Sequence, residues 1–163
     1  MKLIFLDIDG VIKEDRHGTP FLDGSLKVLA DIVRETDARL VMSSTWKVKY
    51  KAFIDNGFKT EYNDICVLYH TLKKYGLSIY GYTPYFGNID KPLRRPAEIA
   101  EYLKNNGDAE SFCILDDRDE FIWGELSDHL VLTYLGKSES GEKIAHLAPE
   151  HKSEIIEILN KSR

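Results

Sequence analysis

The sequence predicts an α/β protein built on a doubly wound, mostly parallel sheet. Two observations carry that prediction. Short apolar strand segments alternate with segments of helical spacing along the chain, and polar clusters follow three of the strands. In sheets of this kind ligands bind outside the carboxyl ends of the strands, so those clusters mark the place to look for function.

The elements follow in order. Leu3, Ile4, Phe5 and Leu6 read as a strand covered on both faces, ending at Asp7. Leu26 to Glu35 carries apolar residues at Leu26, Leu29, Ile32 and Val33, the spacing of a helix. Ala38 to Met42 is a second strand, running into Ser43, Ser44 and Thr45. A helix is expected from about Asn63 to Tyr75, stopped by Gly76, and a strand from Leu77 to Tyr82. Pro96 to Asn106 reads as a helix with proline in its first turn and Gly107 beyond its end. Phe112 to Leu115 is a strand that runs into Asp116 and Asp117; His129 to Leu132 is a further strand, and Glu150 to Asn160 a closing helix.

Composition narrows the function classes. The chain has 163 residues, which predicts one domain over 1–163 with a core of ordinary size. Its net charge of −5 gives no general attraction to nucleic acid, although a local basic patch is compatible with it. Cys66 and Cys113 sit in apolar runs and read as reduced core residues, which points to the cytoplasm. The N-terminus is too short in apolar residues for a signal peptide, and no stretch reaches membrane-spanning length.

The stretch "LIFLDIDGVI" places two acids at the end of the most apolar run. If the chain stays extended there, Asp7 and Asp9 point the same way. Asp116 and Asp117 end another strand. Four carboxylates converging in one crevice repel one another unless a cation offsets them. An oxygen-only donor set suits Mg²⁺, and the absence of His and Cys from these strand ends disfavours zinc. A single Asp after a strand is ordinarily a turn or cap residue, but burying apolar strands does not require acid pairs at two of them. Hydroxyls of Ser43, Ser44 and Thr45 suit either a phosphate or a helix cap. Lys91, Arg94 and Arg95 precede a helix start, and a guanidinium matches a phosphoryl group.

These residues carry a resemblance to the haloacid dehalogenase (HAD) superfamily. "LIFLDIDGVI" looks like its first motif, "LVMSSTW" its second, the basic residues before "PAEI" its third, and "FCILDDRDEF" its fourth, in order from Leu3 to about Phe121. A closer likeness, in "SSTW", "GYTP" and "RRPAEIAEYL", is to the uncapped HAD domains of bacterial RNA-repair (Swiss Army Knife) proteins, relatives of polynucleotide phosphatases. Lys47 and Pro96 stand where the common form there has Arg and Gly.

The resemblance implies a Rossmannoid HAD core and a Mg²⁺-dependent phosphatase with no cap or a minimal one. Asp7 is then the nucleophile that forms an aspartyl-phosphate, and Asp9 the acid and base for the leaving group and water. Mg²⁺ falls to Asp7, the Asp9 carbonyl, Asp116 and Asp117. Gly10, Ser43 and Arg95 bind substrate, with Ser44 and Arg94 as alternatives. The second acid at Asp9 favours phosphatase over dehalogenase.

An open site suits a phosphorylated polynucleotide end. Trp46, Lys47, Arg94 and Arg95 are the expected rim, and Lys47, Lys49 and Lys51 the basic face of a helix. Competing expectations are a small-metabolite or nucleotide phosphatase, a non-catalytic domain that binds phosphorylated ends, and a response-regulator receiver. The Asp-x-Asp-Gly-Val pattern disfavours the last.

Overall fold

Side chains alternate across a strand, so a strand apolar at every position needs cover on both faces. The computed structural model, which describes residues 1–161, meets that need around β1 (Lys2–Leu6). Ile4 and Leu6 pack into one core with α1 (Asp23–Thr36), α2 (Lys47–Asp55), α3 (Asn63–Lys74) and α5 (Lys152–Asn160). Leu3 and Phe5 pack on the other face, against Ile99, Tyr102 and Leu103 of α4 (Lys91–Asn105) and against Phe121 and Trp123. Phe5 meets Tyr102 and Phe112 edge-on, at 5.6 and 5.9 Å between ring centroids.

The sheet has five parallel strands in the order β3-β2-β1-β4-β5. Its remaining members are β2 (Arg39–Met42), β3 (Ile79–Tyr82), β4 (Ser111–Asp116) and β5 (Leu130–Leu132). From β1 the chain winds outward through β2 and β3, then returns to β1's other side for β4. The topological switch point therefore lies between β1 and β4, where the two acid pairs sit. The doubly wound α/β core expected from the sequence is present, and among the described residues no large cap stands over it. No helix among the described residues is long and apolar enough to cross a membrane.

Two features depart from expectation. A two-stranded antiparallel sheet, β6 (Tyr134–Lys137) and β7 (Lys143–Ala145), follows β5. Helix α4 begins at Lys91, with Pro92 in its first turn and Pro96 in its interior. An interior proline leaves the carbonyl four residues back without its helical donor. Here that carbonyl, Pro92 O, accepts the Ile122 N–H at 2.9 Å, so the helix continues through Pro96 without an orphaned group.

Phe5→Ala is expected to lower unfolding stability by about 3–5 kcal/mol, because a ring packed between Tyr102 and Phe112 leaves a cavity that β1 cannot close. Urea titration of the two proteins measures it.

Candidate active site

The strand ends place the site residues through main-chain bonds. Asp7 N–H donates to Leu115 O at 3.0 Å, and Ser43 N–H to Leu6 O at 3.0 Å, so the ladders run one residue past the strands. Asp7, Asp116 and Asp117 each lie within 4.8 Å of one another by a carboxylate oxygen, and all three are buried. Burial, then the charge of Asp7, raises the Asp116 carboxyl above its ordinary range, against the pull of Arg95. Burial raises Asp117 as well, with Lys143 opposing it.

One guanidinium bridges two of these acids. Arg95 Nη1 stands 2.9 Å from Asp7 Oδ2 and 2.6 Å from Asp116 Oδ2. Burial works against the Arg95 charge, but the two carboxylates outweigh it and raise its pKa above the ordinary value. Asp116 Oδ1 accepts the Arg118 N–H at 3.0 Å, so both of its oxygens are occupied by protein donors. Asp7 keeps Oδ1 without a partner among the described residues.

Asp117 differs. Neither of its oxygens makes a directed hydrogen bond, although Lys143 Nζ from β7 stands 2.7 Å from Oδ2 as a charge contact. Buried carboxylate oxygens left in this state are costly unless something else binds them. Gly10, at φ +77°, lies against the same carboxylate, and a Cβ there would overlap it. Ser43 Oγ is also buried without a hydrogen-bond partner, whereas Ser44 Oγ accepts the Trp46 N–H at 3.4 Å. Three buried carboxylates, one of them without directed donors, fit a hard divalent cation.

Other residues take unexpected places. The chain does not stay extended after Asp7: Val11, Ile12 and Lys13 all donate their N–H to Ile8 O. Asp9 is thereby turned away from the cluster. Its Oδ2 accepts Trp46 Nε1–H at 2.8 Å, and its Oδ1 lies 3.5 Å from Lys13 Nζ.

Lys47 is not on a basic rim but buried, donating to Glu98 Oε2 at 2.5 Å and Thr83 Oγ1 at 2.9 Å. Burial lowers its pKa and Glu98 opposes that. Arg94 turns outward to the Ile89 carbonyl at 3.0 and 3.1 Å, and Lys91 is exposed at the helix start, so of the three cations only Arg95 reaches the acids. Glu98 was visible inside "RRPAEI" but carries no mark of burial in the sequence; Lys143 has no local signal at all.

A cleft of about 890 Å³ opens on the Asp9 side, lined by Lys13, Phe21, Trp46, Lys49 and Lys74 among others. The flap from Lys13 to Phe21 forms one wall, closed by an antiparallel bridge between those two residues.

The family model described as "HAD domain in Swiss Army Knife RNA repair proteins" matches residues 3–138. The chain belongs to this family. As a HAD domain it is a hydrolase of the phosphoric-monoester class, and its fold agrees. It is similar in structure to D,D-heptose 1.7-bisphosphate phosphatase from B. bronchiseptica, which was crystallised with magnesium and phosphate. The two share 18% sequence identity and a TM-score of 0.51, over 76% of this HAD domain and 74% of that chain. No curated protein matches the sequence.

Asp117→Asn removes a repelling buried charge, so the metal-free HAD domain should gain about 1 kcal/mol, or roughly 2–4 °C in Tm. The same substitution should abolish the upward Tm shift that Mg²⁺ gives the unaltered protein. Thermal unfolding with and without Mg²⁺ reads both.

Proposed function

We propose that these 163 residues act as a single cytoplasmic HAD-type domain that hydrolyses phosphomonoesters through an aspartyl-phosphate on Asp7, with Mg²⁺ as cofactor. The observation that carries the reading is the state of Asp7. Arg95 fixes one of its oxygens, and the other has no hydrogen-bond partner among the described residues, beside Asp116 and Asp117 at the switch point. A carboxylate held in that way is oriented for attack on a phosphorus atom, with its geometry set before substrate arrives.

Each residue then has a role. Asp7 Oδ1 attacks phosphorus while Arg95, already between Asp7 and Asp116, meets the negative charge of the phosphoryl oxygens. Ser43 Oγ offers a hydroxyl proton to one of those oxygens. Asp117 and Asp7, with the Asp9 carbonyl, would hold Mg²⁺; when bound, the ion offsets the repulsion between the phosphate and the carboxylates. Asp116, with both oxygens taken, orients Arg95 rather than binding freely. Lys47 and Glu98 neutralise each other beneath Ser43, and Glu98 Oε1 also accepts the Phe86 N–H at 2.9 Å.

The substrate class we favour is a phosphorylated polynucleotide end. Family membership in RNA-repair HAD domains supports it, and so does the cleft, whose lining includes Arg16, Lys49 and Lys74 with Trp46 and Phe21. Those lysines, rather than Lys47, Arg94 and Arg95, are the cations available to a backbone. The free thiols of Cys66 and Cys113 suit a reducing compartment.

Release of inorganic phosphate from p-nitrophenyl phosphate with Mg²⁺ is expected to fall by a factor of about 10⁴ or more in Asp7→Asn. Equal rates would remove the nucleophile and the reading with it. A 3′-phosphorylated oligonucleotide should have a higher kcat/KM than a sugar phosphate, with an advantage that shrinks as salt rises. Preference for the sugar phosphate, or an advantage indifferent to salt, points instead to a metabolite phosphatase.

A further inference from the structure

The carboxylate of Asp9 stands apart from the other three acids, and two donors account for its position. Trp46 Nε1–H binds Oδ2 at 2.8 Å across 37 residues of sequence, and Lys13 Nζ faces Oδ1 at 3.5 Å. Both donors are themselves fixed. The Trp46 ring sits edge-on to Phe21 at 6.1 Å, and the Trp46 carbonyl accepts the Tyr50 N–H in the opening turn of α2. Lys13 Nζ is tied to the flap through Arg16 O at 2.6 Å, Thr19 Oγ1 at 3.0 Å and Glu14 O at 3.1 Å.

We propose that Trp46 is a positioning residue for Asp9, and that with Lys13 it aims the carboxylate into the cleft that receives the leaving group. This rests on the phosphatase reading above. An indole N–H that is partly buried seeks an acceptor, and a Phe at this position would pack as well against Phe21 without supplying one. The N–H occupies Oδ2, and Oδ1, which Lys13 Nζ faces without a hydrogen bond, exchanges the proton. As the bond from phosphorus to the leaving oxygen breaks, Asp9 gives its proton to that oxygen, so an alcohol departs and Asp7 carries the phosphoryl group. Water then attacks phosphorus and gives its proton to Asp9, which releases inorganic phosphate and restores Asp7. Trp46 and the flap thus fix Asp9 together.

Leaving-group dependence separates this role from a structural one. A p-nitrophenolate departs without a proton, whereas an alkoxide needs one. The ratio kcat/KM covers only the steps up to release of the alcohol. In Trp46→Phe, kcat/KM for glycerol 2-phosphate should therefore fall about tenfold more than kcat/KM for p-nitrophenyl phosphate. Losses in equal proportion, or no loss on either substrate, overturn the proposal.

A second measurement needs no turnover. The only two indoles belong to Trp46 and Trp123, and Trp123 Nε1–H donates to Arg118 O at 3.1 Å. Asp9→Ala should move the Trp46 indole N–H resonance upfield and leave that of Trp123 in place. An unmoved Trp46 signal overturns the proposal whether or not the protein hydrolyses phosphate. Absence of Asp7-dependent phosphate release from the unaltered protein sinks the phosphatase reading instead.

Discussion

Three carboxylates are buried within reach of one another and one guanidinium bridges two of them, and the rest of the site is arranged around that balance. Removing water from each acid costs more than any single contact returns, and their mutual repulsion adds to the cost. Arg95 meets two of them with one nitrogen, and it can do so only because α4 starts early enough to carry it into the crevice at its second turn. Asp117 is left with a charge contact to Lys143 on a hairpin and, among the described residues, no directed hydrogen bond. The same arrangement that makes the acids costly leaves one oxygen of Asp7 and both of Asp117 without a hydrogen-bond donor among the described residues.

The parts of this picture that can be read from residue order are those with a short-range pattern. β1, β2 and β4 stand out because a strand buried on both faces has no polar positions, and Asp7, Ser43, Asp116 and Asp117 stand out because they end that pattern. Placement of those residues at neighbouring strand ends follows from the winding of the sheet alone. Elements set by long-range contacts are not legible in this way. Nothing near Lys143 announces that β6 and β7 fold back over Asp117. Lys47 has the same helical spacing to Lys51 as any residue on a solvated face, and its burial is decided by Glu98, 51 residues away.

Asp7 and Asp9 show where an idealised geometry breaks down. Two residues apart in an extended chain, they would share a face, and a four-acid site follows from that. The chain instead turns at Ile8, whose carbonyl takes three successive N–H groups, and the second acid leaves the cluster. Its new neighbours, an indole and an ammonium, come from the residue that caps α2 and from the flap. The second acid is thereby placed beside Trp46 and Lys13, apart from Asp7, Asp116 and Asp117.

Pro96 has a mechanical consequence. The carbonyl it strands at Pro92 is taken by the backbone of Ile122, and Phe121 in the same loop lies 5.3 Å beneath the Arg95 guanidinium. That loop leaves β4 directly after Asp116 and Asp117. The cation and the acids it balances are therefore joined twice, once by charge and once by a strut through main chain and ring. A displacement of α4 along its axis is passed to that loop through both contacts, so the cation and the acids keep their pairing as a unit.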